Sequence, residues 1–238
     1  MKYKGVLTLV SLMFQLNILK AQNIESFNTY LDGCEQVVFV SAPTWYSQAG
    51  VLKLYERSSD TSFWQCVHTC DIMLGKNGLA KDAFTVIPFK NESEIKKEGD
   101  GNSPAGIFSF EFIFSSHTIS NLEFPFQRMD SNAICVDDIY SQYYNQYIQK
   151  ENITNKDFQS YELMQRKDEL YEYGIWVNYN SNPALSGNGS CIFLHIWQGP
   201  GIYTSGCTAM SKEDILYLIH WLSSEKHPKL LQIVNEEN

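Results

Sequence analysis

Ser190-Cys-Ile-Phe-Leu-His-Ile-Trp197, then Gln198-Gly-Pro-Gly201, then Ile202-Tyr-Thr-Ser-Gly-Cys-Thr-Ala-Met210 is the stretch on which the reading turns. Its first eight residues are rich in aliphatic and aromatic side chains and end at a Gly-Pro-Gly turn, which is strand chemistry followed by turn chemistry. The chain then returns with a Gly206-Cys207 pair just ahead of Ser211-Lys-Glu-Asp214, a capping-box-like helix start. His195 sits inside the strand and Cys207 follows it by twelve positions. A strand, a turn and a return can bring imidazole and thiol together. A free thiol titrates at about 8.5 and is mostly protonated at neutral pH, so it needs a base to become a nucleophile. His195 is the candidate base and Cys207 the candidate nucleophile. Gly206 lets backbone approach closely, and the amides of Ser205, Gly206 and Cys207 are candidate oxyanion donors. Thr204, Trp197 and Tyr203 are candidates to line the groove. The group that orients His195 is left open between a backbone carbonyl and Ser190. A buried cysteine and a core histidine in one hairpin are also ordinary structural residues, so spacing alone leaves both readings open.

The rest of the chain reads as β-rich. Val37–Ser41, Val51–Glu56, Phe63–His68, Phe84–Pro88, Ile107–Phe114 and Tyr173–Tyr179 carry strand patterns separated by Gly, Asn and Asp. Asp157–Leu170, polar with spaced apolar residues, is expected as a surface helix. Ile215, Leu218, Ile219 and Leu222 fall on one face of a helix opened by Ser211. Pro228 closes that unit and Lys229–Val234 reads as a last strand. Gln142–Lys156, rich in Tyr, Asn and Gln, is expected as a long loop.

Lys2 and Lys4 precede an uncharged, mostly apolar run from Gly5 to Leu19, and Ala21 offers a cleavage point. The run is shorter than the roughly 20 residues of a membrane span. Residues 1–21 are therefore expected to be a signal peptide, and 22–238 a single domain without a stable membrane span. Removing the leader takes Lys+Arg from 18 to 15 against 27 Asp+Glu, a net charge of −12. A nucleic-acid binder needs a basic face, and that class is excluded. Export favours disulfides among the six cysteines, whose connectivity the sequence leaves open.

The motifs resemble the L,D-transpeptidase (YkuD-type) catalytic domain, in an exported subgroup. Its active-site signature is a His followed, after a stretch, by Ser/Thr-x-Gly-Cys, a hydrophobic residue and a final Arg, Met or Asn nearby, set here against His195, Thr204, Gly206, Cys207, Thr208 and Met210. Gly99-Asp-Gly-Asn-Ser-Pro-Ala-Gly-Ile-Phe108 resembles the family's upstream turn and strand, and Lys76-Asn-Gly78 the loop before it. Cys135-Val-Asp-Asp138, with Tyr143-Tyr-Asn145, resembles the exported subgroup. The likeness runs from about residue 36 to residue 232. It implies a mainly β (α+β) domain, a curved antiparallel β-sandwich or barrel with a few peripheral helices. It also implies acylation of Cys207 by a peptidoglycan stem tetrapeptide with release of terminal D-Ala. An amine then takes the acyl group, or water does, which gives L,D-carboxypeptidase activity; some relatives are amidases. No metal or cofactor is implied, and a monomer in the periplasm or cell envelope is expected. Three features depart from the family pattern. Ser205 stands where many members have a second His, Ala209 where many have Arg, and the eleven residues between His195 and Cys207 make a short gap.

Other candidates are weaker. Asp100-Gly101 reads as a turn, and Asp137-Asp138 lacks further spaced ligands for Ca²⁺. Cys66, His68 and Cys70 have metal-site composition. On one strand, however, Cys66 and Cys70 would sit roughly 13 Å apart, too far for one ion or for a disulfide. His117 and His220 are lone histidines. Two rivals to the transpeptidase reading are an inactive envelope-binding module and a papain-like peptidase; the latter places its Cys upstream of its His, the reverse of the order here.

Overall fold

The structure is a computed structural model that describes residues 24–89 and 94–235. The expected signal peptide, residues 1–21, lies outside the described residues. In chain order the strands are β1 (Gln36–Ala42), β2 (Ala49–Glu56), β3 (Gln65–Met73), β4 (Leu79–Lys81), β5 (Ser103–Ser115), β6 (Phe126–Arg128), β7 (Ala133–Cys135), β8 (Tyr147–Gln149), β9 (Glu162–Leu163), β10 (Tyr173–Val177), β11 (Phe193–Ile196), β12 (Thr208–Met210) and β13 (Lys229–Val234). One α-helix, α1 (Lys212–Trp221), lies between β12 and β13.

The long strand β5 closes the main sheet on itself. Its residues 106–109 pair with β13 and residues 110–115 with β10. The order β10-β11-β12-β3-β2-β1-β13-β5 thus returns to β10, a mainly β, barrel-like sheet. Around this ring the pairings are antiparallel except β1–β13 and β11–β12, and β4 and β6 join β5 in parallel. β1 is buried at every residue, as an unbroken apolar run demands when both faces are covered. Helix α1 starts where its sequence says it should: the Ser211 hydroxyl accepts from the Asp214 amide. Ile215, Leu218 and Ile219 are buried with Leu194 and Met210 in the main core.

The parallel β11–β12 pairing decides where the thiol sits. A parallel partner must start at the same end as its neighbour, so residues 197–207 carry the chain back as a loop, not as a hairpin strand. Cys207 therefore lies beside the start of β11. Alternation along β11 sends Leu194 into the main core and Phe193 to a second core with Phe114, Trp176, Tyr171 and Cys207.

Three expectations are corrected. Asp157–Leu170 is not a helix: Phe158 and Met164 are buried while Tyr161 and Leu163 are exposed, a spacing no helical face provides. The segment instead lends β9 to a small sheet in the order β8-β7-β9. Phe84–Pro88 is not a strand either; Phe84 and Val86 are exposed, and only Ile87 is buried. Gln142–Lys156, expected as loop, contains β8 and a short 3-10 turn. A single disulfide, Cys135–Cys191, ties β7 to the segment before β11; Cys34, Cys66, Cys70 and Cys207 are free.

Candidate active site

His195 and Cys207 line one open cavity of about 510 Å³, together with Thr204, Ser205, Gly206, Trp197 and Tyr203. Lys96, Glu98, Glu162, Arg166 and Tyr171 also stand on its wall, with Asp137, Ser190 and Gln198. The backbone of the Cys207 loop is braced by the upstream motif. Ser103 Oγ accepts from the Gly75 amide at 2.9 Å and donates to the Cys207 carbonyl at 2.9 Å. Thr204 Oγ1 donates to the same carbonyl at 2.6 Å and accepts from the Gly206 amide at 3.1 Å. Gly206 has φ 157°, and a Cβ there would stand 3.1 Å from the Asn102 carbonyl oxygen, so glycine is what lets the two motifs touch. Asp100 makes the turn expected of it, accepting from the Asn102 amide at 2.9 Å and from Lys96 Nζ at 2.7 Å.

The Cys207 sulfur is buried. It accepts from the Phe193 amide at 3.3 Å and donates to the Cys191 carbonyl at 3.5 Å. His195 Nδ1 lies 2.8 Å from the Ile196 carbonyl oxygen. A carbonyl only accepts, so Nδ1 carries the hydrogen and Nε2 holds the basic lone pair. The orienting group is thus a backbone carbonyl; Ser190 instead donates to Glu98 Oε2 at 2.7 Å. Tyr171 meets the imidazole edge to face at 5.0 Å and donates its hydroxyl to Glu162 at 2.6 Å.

Burial sets the protonation of the pair. It pushes the Cys207 thiol up to about 12; the carboxylate of Glu162 adds to the rise, against the Phe193 amide, Lys96 and Arg166. Burial also lowers His195 to about 4, with Arg166 assisting and the Ile196 carbonyl, Asp168 and the Leu170 carbonyl opposing. The resting pair is therefore thiol and neutral imidazole, not thiolate and imidazolium. Two outcomes follow. A reaction that used His195 as its base would lose it only as pH falls through about 4, leaving no limb near the ordinary histidine value of 6.5. The depressed histidine also contributes stability that is complete above 6.5 and is lost as pH falls toward 4. A pH–kcat/KM profile checks the first; a limb centred between 6 and 7 would contradict the neutral pair.

The sequence reading missed Arg166, Glu162 and Tyr171. They lie on the stretch expected as a surface helix and on the residues just after it, and only their non-helical course turns them into the cavity. Ala209, which replaces the family's common arginine, lies across from His195 in the β11–β12 register. The guanidinium of Arg166 stands over the Tyr171 ring at 5.0 Å and pairs with Asp168.

The barrel-like sheet brings Cys207 and His195 to the wall of one cavity. The L,D-transpeptidase catalytic-domain (YkuD) family model matches residues 46–228, and the chain belongs to that family. No curated protein matches it. Among solved structures, the helical cell shape determining protein Pgp2 from Campylobacter jejuni is similar at 11% identity and a TM-score of 0.40. That match covers 90% of this chain and 56% of the other, so this chain spans little more than half its length. Among the described residues no helix is long and apolar enough to cross a membrane.

Proposed function

We propose that this protein is an exported L,D-transpeptidase that acts as a monomer on peptidoglycan stem tetrapeptides, once residues 1–21 are removed. The observation that carries the reading is the shared cavity of Cys207 and His195 in a chain of this family. Cys207 Sγ attacks the carbonyl that precedes the terminal D-Ala, and His195 Nε2 takes the thiol proton as the bond forms. The amides of Ser205 and Cys207 stabilise the oxyanion; that of Gly206 already serves Thr204. His195 returns the proton to the leaving D-Ala amine, leaving a thioester on Cys207. An acceptor amine then yields a cross-link, and water yields the tripeptide. The open cavity mouth, with Tyr203 half exposed on it, suits a large acceptor and favours transfer over hydrolysis alone. The Cys135–Cys191 disulfide supports export, because such bonds persist in oxidising compartments.

Arg166 fills the place of the missing family arginine by binding the carboxylate of the terminal D-Ala. Lys96 is held by Asp100 and by the Lys97 carbonyl, so Arg166 is the cation positioned to turn from its exposed partner Asp168 to a ligand. A charge-assisted contact contributes about 1.5–3 kcal/mol, so Arg166→Gln should raise KM for the tetrapeptide roughly 10- to 100-fold. A tetrapeptide with an amidated C-terminus should show no such difference between wild type and variant; equal losses on both substrates would sink this role.

The experiment that tests the function incubates wild type and Cys207→Ala with a disaccharide-tetrapeptide and a D-amino acid, and follows terminal D-Ala by mass spectrometry. Exchange by wild type alone supports transpeptidation, and loss without exchange makes the protein a carboxypeptidase. Neither, with folded protein and a reduced Cys207, favours a pre-formed cross-link as substrate or an inactive binding module.

A further inference from the structure

The Cys66, His68, Cys70 triplet on β3 takes no part in the chemistry above. Residues two apart on a strand share a face, so His68 and Cys70 stand together, and the first turn of α1 brings Asp214 against them. His68 Nε2 is 2.8 Å from Asp214 Oδ1. The imidazole nitrogen, the Cys70 sulfur and the carboxylate oxygen all lie within 4.8 Å of one another. Cys66 stays out of this group: its thiol is exposed and donates to the His68 carbonyl at 3.4 Å. The third donor comes from another element, Asp214 at the start of α1.

We propose that His68, Cys70 and Asp214 form a binding site for a zinc-class divalent cation, with water in the fourth position, that fastens β3 to the start of α1. One nitrogen, one sulfur and one carboxylate oxygen are the donor types zinc takes, and the mixed set with a thiolate disfavours Mg²⁺ and Ca²⁺. Tetrahedral coordination at about 2.0–2.3 Å places donors roughly 3–4 Å apart. The ion therefore requires the His68–Asp214 contact to open slightly and the thiol to close in. Both neighbouring ligands are already oriented from behind. Ser211 Oγ donates to the other Asp214 oxygen at 2.5 Å, and the Tyr217 ring stacks on His68 at 4.3 Å with an interplanar angle of 17°. Asp71 adds a second carboxylate field at the thiol. The side chains of His68 and Asp214 are 24% and 21% exposed, which leaves a path for the ion and its water. Binding replaces the Cys70 thiol proton with the metal and releases that proton to solvent; nothing is oxidised.

The test titrates metal-stripped protein, with Cys70 verified as a thiol and the Cys135–Cys191 disulfide intact, with Co²⁺. One equivalent should produce the thiolate-to-cobalt charge-transfer band and the visible bands of a tetrahedral ion, and Zn²⁺ should displace both. Cys70→Ser should abolish the charge-transfer band, and His68→Ala should weaken binding at least about tenfold. Cys66→Ser and Cys207→Ala should leave it intact. Zn²⁺ should also raise the melting temperature of wild type but not of Cys70→Ser; this increment is read for each variant against its own metal-free form. The proposal fails if folded wild type gives no thiolate–cobalt band, or if Cys66→Ser or Cys207→Ala removes it while Cys70→Ser does not.

Discussion

Replacing Cys207 with alanine is expected to lower D-Ala exchange by at least about 1000-fold while leaving the barrel folded. Removing the nucleophile of an acyl-transfer enzyme leaves only what the oxyanion donors and substrate binding provide, and comparable substitutions elsewhere cost about 10⁶ in kcat. Structurally the sulfur has two weak partners, the Phe193 amide at 3.3 Å and the Cys191 carbonyl at 3.5 Å. Its loss leaves one buried amide without an acceptor, at about 1–3 kcal/mol. The Cys207→Ser variant separates the two effects. Its hydroxyl can keep both contacts and hence the stability, yet it is a far weaker nucleophile beside a neutral imidazole. Both variants should melt as single cooperative units, and both should lack the thioester adduct that mass spectrometry is expected to detect on wild type. Exchange activity in either one above a thousandth of wild type would remove Cys207 from the mechanism.

What made this site legible was local. The strand through Phe193–Ile196, the turn at Gly199–Gly201 and the Ser211 cap are each written in a few adjacent residues, and each appears in place. Lys229–Val234 forms a strand over the very residues its apolar run marks out. The misses are tertiary. Phe84–Pro88 has strand-like residues but no neighbouring strand to pair with, and pairing, rather than propensity, makes a strand. Asp157–Leu170 has a helix-like scatter of apolar residues, but burial of Phe158, Met164 and then Tyr171 pulls it across the sheet of β7–β9 and carries Glu162 and Arg166 to the cavity. The parallel β11–β12 pairing was also beyond local reading. A strand-turn-return pattern is compatible with either direction, and only the position of β3 beyond β12 fixes the choice.

The disulfide is the other place where fold and chemistry meet, and its removal should be felt in both. Cys135 ends β7 and Cys191 lies two residues before β11, and the two cysteines are 56 positions apart in sequence. Closing a loop of that length lowers the entropy of the unfolded chain by an amount equivalent to about 4 kcal/mol. For a domain of this size that corresponds to roughly 10 °C in melting temperature. The bridge also holds Cys191 with φ 54°, a conformation costly for a residue with a side chain. In that conformation its amide donates to Asn145 Oδ1 at 2.8 Å and its carbonyl faces the Cys207 thiol. A Cys135→Ala/Cys191→Ala double variant should therefore melt about 10 °C lower and lose at least tenfold in kcat, because displacements near 1 Å around reacting atoms cost up to about 100-fold. Dithiothreitol acting on wild type should reproduce both changes, since the other four cysteines are already thiols. If stability falls but kcat holds, the bridge is a staple only, and the Asn145 contact suffices to keep the Cys191 carbonyl on the nucleophile. If neither changes, the denatured chain must already bring these two segments together, and the entropic account of the bridge is wrong.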